Sequence, residues 1–159
     1  MSQVLYKFLT SQKLIIVATN DENNKPWIFN AYYSIDKNLR IFFVSPEDSN
    51  HSIHINKNPE VAFSVAWYNE TDINDRKAIQ GKGKCRKINN PVDVAKYLTN
   101  HYKYFPSWKD IITYDKIKNK LIESRAYIIE PTYIKYWDDE LYGDDETKEF
   151  IIESPNKDI

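Results

Sequence analysis

Residues 27–51 read WIFNAYYSIDKNLRIFFVSPEDSNH, and the alternation inside this stretch decides the fold. Trp27, Phe29, Ala31, Tyr33 and Ile35 share one face of an extended chain, while Asn30, Tyr32 and Ser34 share the other. Successive side chains of a strand point to opposite sides. The first face is expected in a core, and the second at least partly exposed. Asp36-Lys37-Asn38 is a tight hairpin turn, with Asn38 suited to a left-handed backbone. Leu39 to Ser45 is apolar on both parities, so this strand needs cover on both faces. A second subunit or a cofactor would serve. Pro46-Glu47-Asp48 breaks the strand. Ser49 follows as a helix N-cap, with a helix predicted as far as Lys57 and stopped by Asn58-Pro59.

Working outward, Val4, Leu5, Phe8 and Leu9 recur at helical spacing and predict a short amphipathic helix over residues 2–12, capped by Ser2. Leu14 to Thr19 is a β-branched apolar run, read as a buried strand, and turn-forming residues 20–25 lead into the central hairpin. Val61 to Tyr68 is another apolar strand, followed by a polar loop over residues 69–75. Arg76 to Ile88 is a long strand, with Ile79, Gly81, Gly83 and Cys85 on one face. Its two glycines predict a bulge or a close backbone approach. Asn90-Pro91 is a cap followed by proline at the first helical position, with a helix predicted to Tyr102. Phe105-Pro106 ends it, and residues 107–120 are helical in part. Two short strands, Tyr127–Ile129 and Tyr133–Trp137, are separated by Glu130-Pro131. Consecutive hairpins predict an antiparallel sheet, and closing it removes free edges. The predicted class is mainly β (α+β): an antiparallel six- to seven-stranded split β-barrel with peripheral helices. It is placed over residues 1–142, before an acidic, loosely ordered tail over residues 143–159.

Composition narrows the function. The 159 residues fit one domain, and with 42% apolar residues they can build a core. Only 3 glycines argue against a Gly-rich phosphate loop, and a net charge of −1 against nucleic acid as partner. The charges are unevenly placed. Arg76, Lys77, Lys82, Lys84, Arg86 and Lys87 form a basic stretch, and residues 138–153 an acidic one; each reads as solvated, or as salt-bridging between subunits. The single cysteine, Cys85, makes no internal disulfide and reads as a packing residue in a reducing compartment. No signal peptide or membrane-spanning run is visible, so a cytoplasmic protein is expected.

Chemistry is expected where the third strand meets the helix. The free N–H groups of a helix N-terminus bind phosphate, and Ser45, Ser49, Asn50 and His51 place hydroxyl, amide and imidazole groups around it. The other reading is a plain capped helix. His51 and His54 can share a helix face, but no Cys or carboxylate joins them at metal-ligand spacing, and no metal is expected. Trp137 reads either as a core ring or as a ring near a ligand or subunit interface. No nucleophile–base pair is legible.

A strand ending in Phe-Phe-Val-Ser, then Ser-Asn-His on a short helix, then Asn-Pro-Glu-Val-Ala-Phe-Ser-Val, resembles the pyridoxamine 5′-phosphate oxidase-like FMN-binding split-barrel superfamily. Within it the chain looks closest to a small uncharacterised bacterial branch. Phe29 to Asp36 resembles that branch's second strand, and Gln80-Gly81-Lys82-Gly83 its fifth. The resemblance implies a homodimer with FMN at the subunit interface. It assigns the flavin phosphate to Ser45, Ser49, Asn50 and His51. The ring is assigned to Asn30, Ala31, Tyr32 and Val44, with Gln80 at its polar edge. The family's triplet carries two cations where this chain has Asn50 and His51; Lys57, Lys77 or Lys82 are candidates to compensate. The implied function is an FMN-dependent oxidoreductase on an unidentified small molecule. The alternatives are a non-catalytic flavin- or small-molecule-binding dimer, heme handling, and an interaction module without cofactor.

Overall fold

The computed structural model describes residues 3–153. Its strands are β1 (Leu14–Asn20), β2 (Pro26–Ile35), β3 (Ile41–Pro46), β4 (Glu60–Trp67), β5 (Lys77–Lys87), β6 (Ser124–Asp138) and β7 (Thr147–Ile151). Its helices are α1 (Gln3–Ser11), α2 (Asn50–Lys57), α3 (Pro91–Tyr104), α4 (Tyr114–Lys118) and α5 (Asp139–Tyr142). The sheet order is β3-β2-β1-β4-β5-β6-β7, all antiparallel, and β3 also pairs with β6 to close the first six strands into a barrel. The mainly β split-barrel class expected from the sequence is therefore the observed one.

The barrel interior is filled by alternate residues of every strand, among them Ile15, Val17, Tyr33, Phe43, Val65, Ile79, Tyr127 and Ile134. Leu5, Phe8 and Leu9 of α1 enter the same core and stopper one end, where the Tyr33 hydroxyl donates to Leu9 O at 2.7 Å. Ile55 of α2 enters from the other end. The Ser2 cap lies outside the described residues.

Several local expectations are corrected. The outer face of β3 is covered neither by a subunit nor by a cofactor but by α3 and α4. Phe42 stacks on Tyr97 with ring centroids 5.8 Å apart, in a second core with Val94, Leu98, Ile117, Ala126 and Ile128. Ser34, expected on a partly exposed face, is buried there as well, within 3.0 Å of His101 Nδ1. In the β2–β3 turn the left-handed residue is Leu39 (φ 61°), not Asn38. Asp36 Oδ1 accepts from the N–H groups of Asn38 and Arg40 and sets that turn, and burial of the Leu39 side chain offsets the strained backbone. Strand β1 alternates rather than being buried throughout, and Trp27 is exposed.

The two expected closing strands are one strand, β6. A register shift at Lys82/Gly83 leaves Thr132 without a partner residue on β5, so Pro131 sits at a bulge rather than at a break. The stretch expected as a loose tail from residue 143 carries β7, paired with Tyr133–Trp137; residues 154–159 lie outside the described ones. The acidic end meets the basic stretch within one chain: Arg76 binds Asp139 (2.8 Å) and Asp145 (3.0 Å), and Lys77 binds Glu140 (2.6 Å).

Candidate functional site

The site starts at the end of the barrel that α2 covers. There β3 ends at Ser45-Pro46, and Ser49 sits at the N-cap of α2 in extended conformation. The Ser49 side chain does not cap the helix. Its Oγ lies 2.8 Å from the Pro46 carbonyl oxygen, 2.9 Å from Ser52 Oγ and 3.0 Å from His51 Nε2. Ser45 Oγ lies 2.5 Å from the same Nε2. The His51 ring turns inward and stacks on Phe29, with centroids 3.8 Å apart and planes 11° from parallel. Burial pushes its pKa down to about 4, so the imidazole is neutral at pH 7. Hydroxyl and imidazole groups expected around a phosphate are thus hydrogen-bonded to one another. The N–H groups of Asn50, His51 and Ser52 have no acceptor among the described residues, because the first helical bond runs from Ile53 N to Ser49 O. Free main-chain donors at a helix N-terminus are groups to which an anion can bind.

The remaining expected residues divide by face. Asn30 and Tyr32 lie on the outer face of β2, where Tyr32 is 50% exposed. Its ring meets Phe105 (5.4 Å) and Trp108 (5.6 Å) edge-on. These two aromatics extend the face, and sequence reasoning missed them because they come from the segment after α3. Ala31 points inward onto the barrel core, so it offers only its main chain to a ligand outside. Val44 is packed against the second core. Gln80 is exposed on the outer face of β5, in one cross-strand row with Ser64, Ile16 and Asn30. Three inter-strand steps of ~4.8 Å set Gln80 roughly 14 Å from Asn30 within one chain. Trp137 lies on this outer face too. Its Nε1 donates to Asp139 Oδ1 at 2.6 Å, and with Gln80 it lines a cavity of about 180 Å³.

The cations expected to compensate for Asn50 and His51 stand elsewhere. Lys57 is at the C-terminal end of α2, bound to Glu22 at 2.9 Å. Lys77 is paired in register with Asp138, at the far end of β6. Lys82 lies on the outer face of β5 between Ala62 and Tyr133. The cations beside the β3–α2 turn are Lys87 and Arg125, which both bind the carboxylate of Glu47, Arg125 through Nε at 3.1 Å. The Lys87 hydrogen bond, with both positive charges, holds the Glu47 carboxyl below the usual carboxylate range.

Tested against FMN, these residues fit the group through neutral donors. The free N–H groups of α2 suit a phosphate, and the exposed Asn30–Tyr32 face suits a flat ring. Among the described residues no three His, Cys, Asp or Glu side chains converge on a metal site, and no helix is long and apolar enough to cross a membrane.

A family profile described as pyridoxamine 5′-phosphate oxidase matches residues 1–138. No curated protein sequence matches the chain significantly. Among solved structures, the chain is similar to a conserved hypothetical protein from Mycobacterium tuberculosis, at 14% identity and TM-score 0.69, over 87% of this chain and 85% of that one. It is similar to a Clostridium acetobutylicum protein related to general stress protein 26, of the pyridoxinephosphate oxidase family, at 12% identity and TM-score 0.61, over 92% and 90% of the two chains. It is also similar to a heme storage protein from Vibrio cholerae, at 15% identity and TM-score 0.61, over 93% and 92%. Identities this low carry the fold and leave the chemistry to the site.

Proposed function

The chain belongs to the pyridoxamine 5′-phosphate oxidase family, and from that premise we propose that it binds FMN and acts as a flavin-dependent oxidoreductase on a small molecule. The observation that carries this reading is the set of three free N–H groups at the start of α2, a helix whose His51 ring stacks on Phe29 of β2, the strand with the exposed outer face. The phosphate is received by the first turn of α2, beside Ser45, Ser49, Asn50 and His51. The ring lies toward Asn30, Ala31 and Tyr32. FMN, when bound, supplies hydride or electron transfer, and the protein positions it and excludes water. The working form is a homodimer with the cofactor at its interface. Leu14, Ile16, Ile28 and Tyr32 leave an apolar outer face for a second copy. That separation within one chain then has Gln80 reaching the ring from the partner subunit.

The test is the absorbance spectrum and mass of whatever co-purifies, followed by a thermal shift with added FMN. Flavin absorbance or a clear upward shift in Tm supports the reading. Colourless protein whose Tm FMN leaves unmoved overturns it.

A second reading, a binder without turnover, is favoured by one observation: Ser45, Ser49 and His51 satisfy one another and bring no charge to the turn. Flavin that stays oxidised when a reduced nicotinamide cofactor is added supports it. The heme storage neighbour makes heme the other ligand to titrate.

A further inference from the structure

We propose that Glu47 is an internal stand-in for a ligand phosphate: its carboxylate holds Lys87 and Arg125 at the mouth of the α2 anion site, and a phosphomonoester binds there by displacing it. The inference rests on the flavin reading for the identity of the ligand, and deepens it by naming the charged groups that set affinity.

The turn brings the parts together. Glu47 is two residues before the N-cap Ser49, hence within ~8 Å of it along the chain. Its N–H donates to Glu123 O at 3.2 Å, which ties the turn to the start of β6. Arg125 is the register partner of Ser45, and Lys87 that of Tyr127, so both cations stand on the rim beneath α2. Their side chains are mostly covered, at 16% and 27% exposure, against 40% for Glu47. The carboxylate is therefore the more solvent-accessible member and the one a ligand meets first.

The charge count at this rim is unlike that of the other ion clusters. Arg76 and Lys77 are each shared between two carboxylates. Glu47 is, among the described residues, the one carboxylate shared between two cations, so this triad by itself carries +1, with Asp48 the next residue of the turn and Glu123 tied to it through the main chain. The guanidinium is only partly used: Nε goes to Glu47, Nη1 donates to Ile122 O and Ser124 O, and Nη2 has no protein partner among the described residues. A phosphate dianion offers more acceptor oxygens than a carboxylate and matches an arginine fork. The third sign is Tyr127, a core residue that is the register partner of Lys87 and stands two residues along β6 from Arg125. Its hydroxyl is buried without a hydrogen-bond partner, near the Ser52 hydroxyl and the Glu47 charge. Ser52 Oγ is the nearest protein oxygen to this hydroxyl, which has room to donate to a further acceptor. Asn50 and His51 add no charge, so Lys87 and Arg125 are the cations available to the helix N-terminus.

The experiment measures Kd for FMN, riboflavin and orthophosphate with the full-length protein and with Glu47→Gln, whose folding is checked by circular dichroism. Glu47→Ser serves as a second variant should Gln disturb the turn. The expected result is tenfold or tighter FMN binding in the variant with riboflavin unchanged, because only FMN carries the phosphate. The gain is then lost on adding Lys87→Met or Arg125→Met. FMN affinity that is unchanged or weaker in both Glu47 variants overturns the proposal and leaves the flavin reading standing. Orthophosphate bound by the variant alone, with neither flavin bound by any form, overturns the flavin reading and supports the anion site. Failure of all three ligands to bind any form overturns both.

Discussion

At the scale of single residues, the consequential finding is that His101 is buried, His51 is half-buried, and both are neutral at pH 7. His51 is stacked on Phe29, and His101 is enclosed by Phe42, Phe105 and Trp108 with Nε2 unpartnered. Burial lowers both pKa values to about 4, below the 6.5 of an unperturbed imidazole. Between those values the unfolded chain binds the extra protons, so stability rises with pH and is lost as pH falls from 6.5 toward 4. The loss amounts to about 3 kcal/mol for buried His101 and less for half-buried His51, where solvent screens the charge. Urea midpoints at pH 7 and pH 4.5 should therefore differ, and His101→Leu should flatten that difference. An identical pH slope in the variant would show that His101 does not supply it. The sequence marked His51 as a polar group for a ligand; only the stack on Phe29 reveals that it is turned inward.

At the scale of elements, the junction of β5 and β6 is the least tolerant. A Cβ on Gly83 would lie 2.4 Å from Glu130 O and 2.8 Å from Pro131 Cα, both backbone atoms of the bulged strand. A Cβ on Gly81 would instead meet the Phe63 ring, at 2.3 Å. A ring can be displaced more cheaply than a paired strand. Gly83→Ala is expected to cost about 2–4 kcal/mol, and Gly81→Ala less, as read from denaturant midpoints at equal m-value. The reverse order would mean that the bulge yields more readily than the core. The glycine spacing was legible in the sequence as a close approach. That Glu130-Pro131 continues the strand was not, because a bulge accommodates a proline that local rules treat as a break. The cover of β3 was likewise illegible. Apolar residues on both parities announce that both faces are buried, but not that α3 supplies the second cover.

At the scale of the whole molecule, the barrel keeps an apolar outer face. Leu14 is 54%, Ile16 41% and Ile28 66% exposed on adjacent strands. The proposed homodimer buries this face, and on that proposal the protein should sediment at twice its 18.9 kDa chain mass. The paired change Ile16→Lys and Ile28→Lys should give a folded monomer, since both side chains lie outside the core. Because Gln80 would then no longer reach the second site, flavin affinity should fall with the dimer. Sedimentation velocity and FMN titration on one preparation check both outcomes, and a variant that remains dimeric excludes this face as the interface.

What the sequence by itself determined was local: which residues alternate, where Asn90 and Pro91 start a helix, where Ser45 to His51 end a strand and begin another helix. Those features follow from backbone sterics and side-chain periodicity within a few residues, and they were enough for the barrel. Only the tertiary structure decided how charge is distributed there. Glu47 meets Lys87 across 40 residues of sequence and Arg125 across 78, and both contacts depend on β3 closing against β6. Periodicity reports which way a side chain faces. Whether that side chain is neutral, bridged or free depends on what the rest of the chain brings against it.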